Sequence, residues 1–203
     1  MNAATLERGL HTAFGQRVAA GRALADDASL VTAACEAMAE RFRRGGTLLV
    51  FGGGAGAADA AHVAVEFVHP VIVGKRALPA MSLAGDAATI TGLAAADPTE
   101  MFARPLGVLA RPNDIALALA ARGDDPAILQ ALRVACERGL LTLALVGYQA
   151  SPLTDWMREG RLDHLLQVRS DDPCVIKEVQ VTTYHVLWEL VHVFLDAPSD
   201  PPS

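Results

Sequence analysis

The stretch TLLVFGGGAGAADAAHVAVEFVHP, Thr47 to Pro70, changes character twice. An apolar run from Thr47 to Phe51 breaks into Gly52-Gly53-Gly54-Ala55-Gly56, and from there the spacing of apolar residues becomes helical. A short buried strand, a glycine turn and a helix form the opening unit of a parallel α/β sheet. On the helix, Asp59, His62 and Glu66 lie at i, i+3 and i+7 and therefore share one face. His69 precedes Pro70 and falls outside the helix. The glycine turn opens a helix, so its N–H groups can face an anion. It is neither a GxGxxG dinucleotide fingerprint nor a GxxxxGK[ST] phosphate loop.

The rest of the chain repeats the pattern. Strands are expected at 47–51, 79–83, 115–119, 141–146 and 164–168. Helices are expected between them at about 57–68, 87–95, 99–110, 126–138 and 152–158, with a long last helix over about 174–195. Two helices, 2–23 and 28–44, precede the first strand. The earlier one carries Leu6, Leu10, Phe14 and Val18 on one face, and the second is capped by Asp26 or Asp27. With no sheet of their own to cover, they are expected to pack against another subunit. No linker or internal repeat divides the chain, so residues 1–196 read as one domain, with 1–45 used in oligomerisation. The segment 197–203, APSDPPS, reads as a disordered tail. The fold class is α/β, a five-stranded parallel sheet flanked by helices. Ligands of such sheets sit beyond the carboxyl ends of the strands. The loops to watch are 52–56, 120–126 and 147–152.

The 203 residues are 52% hydrophobic and 20% charged, enough to bury a sizeable core. A net charge of −6 argues against direct nucleic-acid binding. No apolar run is long enough to span a membrane, and the N-terminus lacks a signal-peptide core, so a cytoplasmic location is expected. Cys35, Cys136 and Cys174 are odd in number and widely spaced, as in a reduced protein. Cys35 and Cys136 are expected on apolar helix faces, and Cys174 in a more open place.

The last helix repeats the polar stripe of the first loop helix. Glu178, Thr182, His185, Glu189 and His192 follow one another at spacings of four, three, four and three, beside an apolar face of Val175, Val179, Val186, Leu190 and Val193. A His and a Glu brought together from two helices can act as an acid–base pair. His62, Glu66 and His185 can alternatively be three ligands of a zinc-like ion with an open position. Solvated helix faces, or contacts between subunits, give the same spacing.

These segments resemble the SIS-domain sugar isomerases, specifically the phosphoheptose (sedoheptulose 7-phosphate) isomerase group, whose fold is flavodoxin-like. GGGAGAADAAHVAVEFV is similar to that family's GNGGSAADAQHIAAEFV, and FARPLGVLARPND to its F-x-R-x5-G-R-x-GD. LTLALVGYQ is similar to its strand ending in TGYDGG, and VIKEVQVTTYHVLWELVH to its RIQExH-x4-H-x3-ELVE helix. The resemblance implies aldose–ketose isomerisation, with Glu66 as base and His185 as its acid–base partner, in a homotetramer. It places a sugar or sugar derivative against Gly53, Gly54, Gly56, Asp59, Asp97, Arg122 and Lys177. Some members bind zinc through four residues that correspond here to His62, Glu66, Lys177 and His185. Lys177 replaces a glutamine, and an ammonium neither ligates nor tolerates a metal cation, which argues against zinc.

The phosphate grip departs further. The family's first-loop serine is Gly56 here, and the hydroxyls of its STSGNS loop give way to Ala120-Ala121-Arg122-Gly123-Asp124-Asp125. Asp124 or Asp125 before Pro126 makes a helix cap, which puts a carboxylate where the anion belongs. Arg122 is expected to pair with a flanking aspartate. The family's Asn-Asp before its third helix is replaced by Ala95 and Ala96, with Asp97 nearby. Two functions follow: an isomerase whose substrate lacks the phosphate or has it held differently, and a catalytically silent SIS module that binds a protein partner or regulatory ligand, as a replication-initiator-binding relative does.

Overall fold

A computed structural model describes residues 2–147 and 150–197. Tyr148 and Gln149 of the third strand-end loop, and residues 198–203 of the expected tail, lie outside that range. The elements run α1 (Ala3–Asp26), α2 (Ala28–Arg43), β1 (Leu48–Phe51), α3 (Ala55–Val68), β2 (Ala80–Ser82), α4 (Ala87–Ala96) and α5 (Glu100–Leu109). After these come β3 (Ile115–Ala120), α6 (Pro126–Glu137), β4 (Leu141–Val146), α7 (Ser151–Arg158), β5 (His164–Gln167) and α8 (Pro173–Asp196).

All strands pair in parallel, in the order β2-β1-β3-β4-β5. The order reverses between β1 and β3, and at that switch point the connecting helices leave on opposite faces and open a crevice. The glycine turn after β1 and the loop after β3 flank it.

Alternation along the strands divides the core into two layers. Leu48, Val50, Ile115, Leu117 and Leu119 pack with Met38, Phe42, Val63, Phe67, Tyr184, Leu187 and Trp188 from α2, α3 and α8. Leu49, Phe51, Ala116, Ala118 and Ala120 pack with Phe102, Leu106, Ile128 and Leu132 from α5 and α6. The alanines of β3 leave room for the helices on that side.

Four readings need correcting. The core face of α8 is Val175, Ile176, Val179, Thr183, Tyr184, Leu187, Trp188 and Val191, whereas Val186 and Val193 are exposed. His192, expected on the polar stripe, is buried, with its ring nitrogens on the carbonyls of Trp188 and Arg76. Cys136 is exposed, because α6 turns Ala131, Leu132 and Ala135 inward instead. Asp27 occupies the N-cap position of α2, but its carboxylate accepts from Arg169 rather than capping. Cys35 is buried and Cys174 exposed. Leu6, Leu10, Phe14 and Val18 of α1 are 51% to 62% exposed.

Candidate active site

Gly54 turns the chain from β1 into α3 with φ +56°, a conformation that a Cβ disfavours. The helix then starts at Ala55, two residues before the expected position, so Gly56 lies in its first turn. A Cβ on Gly52 would meet the Leu119 carbonyl oxygen at 2.4 Å, and one on Gly56 would meet it at 2.7 Å. The turn is therefore pressed against the end of β3. Gly53 is open by comparison, with the Asp125 carboxylate 3.9 Å from where its Cβ would be.

From that turn α3 runs beside α8, and the two polar stripes meet. The ligand atoms of His62, Glu66 and His185 all lie within 4.8 Å of one another. His62 Nε2 is 3.1 Å from Glu66 Oε1, and its Nδ1 is 2.9 Å from the Tyr184 hydroxyl. One tautomer satisfies both contacts: the phenol donates to Nδ1 and Nε2–H donates to Glu66. The rings of His62, Tyr184 and His185 contact one another edge to face, with centroids 4.8 to 5.5 Å apart. His62 is thus held at both nitrogens. His185 makes no hydrogen bond to protein among the described residues, which leaves its nitrogens available to a ligand.

One turn earlier, buried Asp59 accepts from Lys177 Nζ on both carboxylate oxygens, at 2.7 Å each. The same Nζ lies 3.4 Å from the Ala55 carbonyl oxygen. Burial, followed by the negative charges of Asp59 and Glu66, pushes the Tyr184 hydroxyl up to about 12. Both carboxylates therefore act on one phenol, which joins the Lys177–Asp59 pair to the histidine cluster. Because the folded protein resists ionising Tyr184, its contribution to stability is complete below about pH 10 and declines as pH rises toward 12. Tyr184→Phe is expected to remove that part of the alkaline loss, read as the difference between the two proteins' urea midpoints across this window.

The second loop forms a cleft of about 340 Å³ lined by Gly53, Ala120, Ala121, Arg122, Asp124, Asp125 and Pro126. Asp125 caps α6 by accepting from the N–H groups of Ala127 and Ile128, so a resident carboxylate occupies the helix N-terminus. Arg122 is committed to Asp124 through two hydrogen bonds of 2.9 and 2.6 Å. That contact raises the guanidinium and lowers the carboxyl from their ordinary ranges. Asp97 is turned to its own backbone, accepting from the N–H and hydroxyl of Thr99, and no hydrogen bond ties it to the histidine cluster.

Tyr184 and Gln180 were missed from the sequence. Gln180 is buried and donates to the carbonyls of Ala120 and Leu145, fastening α8 to the ends of β3 and β4. Both precede the His185 turn on the inner face of α8, and a polar group on an apolar helix face was the available signal.

A switch-point crevice, a glycine turn and a cluster of titratable residues on two facing helices accompany a family match: residues 17–147 match the family model described as a SIS domain. Within it the chain belongs to the phosphoheptose isomerase family. It is 35% identical to a phosphoheptose isomerase of Solidesulfovibrio magneticus over 191 residues, covering 92% of this chain and 90% of that protein. To one of Roseiflexus sp. it is 34% identical over 171 residues, covering 84% of each. The structure of a phosphoheptose isomerase from Francisella tularensis superposes with TM-score 0.85 at 26% identity, covering 95% of this chain and 100% of that one. The fold is shared with GmhA from Neisseria gonorrhoeae, at TM-score 0.82 and 21% identity, covering 92% and 98%.

Whether the residues suit the zinc of some family members is a question of donors. His62, Glu66 and His185 offer three, but the fourth position presents an ammonium, which has no lone pair and carries like charge. The set does not fit, and no chemical step is derived through a metal.

Proposed function

We propose that the protein interconverts an aldose and a ketose by moving a proton between adjacent carbons, with Glu66 as the base and His185 as its partner. The supporting observation is the convergence of Glu66, His62 and His185 from two helices at the crevice. Starting from the aldose, Glu66 takes the proton from C2, and His185 protonates the carbonyl oxygen at C1. The resulting enediol loses its C2 hydroxyl proton to His185, and Glu66 returns the first proton to C1. C2 is oxidised and C1 reduced within the one molecule, so the reaction needs no external oxidant or reductant. His62 acts as a positioning residue, since both of its nitrogens are already engaged.

The substrate in this reading is a sugar or sugar derivative whose distal end is not gripped as a phosphate. Support comes from the Asp125 carboxylate at the α6 N-terminus and from the commitment of Arg122 to Asp124. The same features favour a second reading, a silent module that binds a protein partner or regulatory ligand. Incubation with sedoheptulose 7-phosphate and with unphosphorylated ketoses and aldoses, followed by NMR, tests both readings. Turnover of a free sugar supports the first. Absence of turnover and of any thermal shift across the panel overturns it.

We also propose a cytoplasmic homo-oligomer, a tetramer by family, assembled through residues 1–45 within a single domain spanning 1–196. The apolar stripe of α1 stays more than half exposed among the described residues. Light scattering is expected to report a multiple of 21.3 kDa, and Phe14→Glu a smaller one. A monomeric mass for the unsubstituted protein overturns this assembly.

A further inference from the structure

The contact between Lys177 and Asp59 joins residues 118 positions apart and ties α8 to the first turns of α3. A carboxylate as buried as Asp59 is costly without a partner, and Lys177 supplies hydrogen bonds to both of its oxygens. Lys177 is consequently turned onto α3, although 42% of its side chain stays exposed. Its remaining contact, the Ala55 carbonyl, is a further acceptor on α3. The ammonium is thus fixed on Asp59, one turn of α3 before His62, which is itself bonded to the Tyr184 hydroxyl.

We propose that Lys177, held by Asp59, occupies the place of a metal ligand at this site and closes the pocket to divalent metal ions. Two features act together. The pocket lacks a fourth ligand because an ammonium has no lone pair to give, and a divalent ion that drew on Asp59 instead would have to displace Lys177 from it. His62 adds to the bias, since the tautomer that satisfies both Tyr184 and Glu66 places a proton on Nε2, the atom nearest Glu66. This inference rests on His62, Glu66 and His185 being the site residues, and it does not require turnover.

The experiment reads metal content and melting rather than activity, so failure of the isomerase reading does not affect it. The full-length protein, Lys177→Gln, Lys177→Met and His62→Ala are incubated with zinc chloride and dialysed against metal-free buffer. Bound zinc is measured by elemental analysis and melting is measured with and without zinc, after circular dichroism has established folding. Zinc that survives His62→Ala is bound elsewhere and is subtracted. The unsubstituted protein is expected to retain no stoichiometric zinc at the site and to melt unchanged. Lys177→Gln restores an oxygen ligand and removes the charge, so it is expected to retain about one zinc per chain. It should also bind zinc at least about tenfold more tightly than the unsubstituted protein. Lys177→Met removes the charge alone and is expected to show a smaller gain, and it carries the test if Lys177→Gln fails to fold. Stoichiometric zinc on the unsubstituted protein that His62→Ala abolishes overturns the proposal. So does a folded Lys177→Gln or Lys177→Met with no gain.

Discussion

Glu66→Gln is expected to lower the rate of isomerisation by about 10²–10⁴-fold while leaving the fold intact, the range for loss of a positioned general base. The amide has the volume of the carboxylate, and its oxygen can still accept from His62 Nε2, now 3.1 Å from Glu66 Oε1. What it cannot do is receive a proton from carbon. The defect should therefore appear in kcat, with KM little changed, because the lost interaction belongs to the transition state. Deuterium incorporation at the substrate's C2 in heavy water, followed by NMR, reports the proton transfer directly and should fall with turnover. Unchanged melting of the variant would locate the loss in the chemistry rather than in folding. A variant that exchanges and turns over within a few-fold of the unsubstituted protein would move the base elsewhere. The contrast between the two histidines sharpens the assignment. His62 has no free nitrogen to carry a proton to and from substrate, whereas His185 has both. His185→Ala should thus weaken the proton relay to oxygen, and His62→Ala should act through the aim of Glu66.

The sheet and its helices are legible in the sequence because parallel strands buried on both faces appear as unbroken apolar runs, and β3 and β4 are buried at every position. The stripe Asp59, His62, Glu66 is legible for the same kind of reason: helical spacing assigns residues to a face. Spacing does not assign neighbours across helices. Lys177 was readable as a misfit in a ligand position, but its partner Asp59 was not, since the pair closes only when α8 lies along α3. Tyr184 reads as one more large residue on the buried face of α8, and the hydroxyl that fixes His62 becomes visible only in three dimensions. The apolar face of α8 was placed partly wrong by the same limit. Val186 and Val193 have helical spacing with the core residues yet turn outward. Cys136 shows that membership of an amphipathic helix does not by itself bury a small residue at its margin.

Gly52→Ala is expected to damage the protein far more than Gly53→Ala, although neither position has the positive φ that reserves a site for glycine. At Gly52 the added methyl carbon would sit 2.4 Å from the Leu119 backbone oxygen, well inside contact distance, and a backbone atom paired into the end of β3 cannot rotate away as a side chain would. Relief requires the turn to lift off the sheet, and overpacking of this kind typically costs about 1–3 kcal/mol, occasionally more. For a chain of this size the melting temperature should fall by roughly 2–12 °C, at about 2–4 °C per kcal/mol. At Gly53 the nearest atom is the Asp125 carboxylate at 3.9 Å, an ordinary contact, so melting should shift little. Lifting the turn also moves the start of α3, and with it His62 and Glu66, so activity should fall along with stability in Gly52→Ala alone. The same oxygen limits Gly56, whose Cβ would lie 2.7 Å away. Reintroducing a serine there would first have to push α3 off β3 before its hydroxyl could meet a phosphate. A side chain at Gly56 would therefore meet the backbone of β3 before it could reach a ligand. Equal melting temperatures for Gly52→Ala and Gly53→Ala would show that the turn yields freely and that this spacing does not set the pocket.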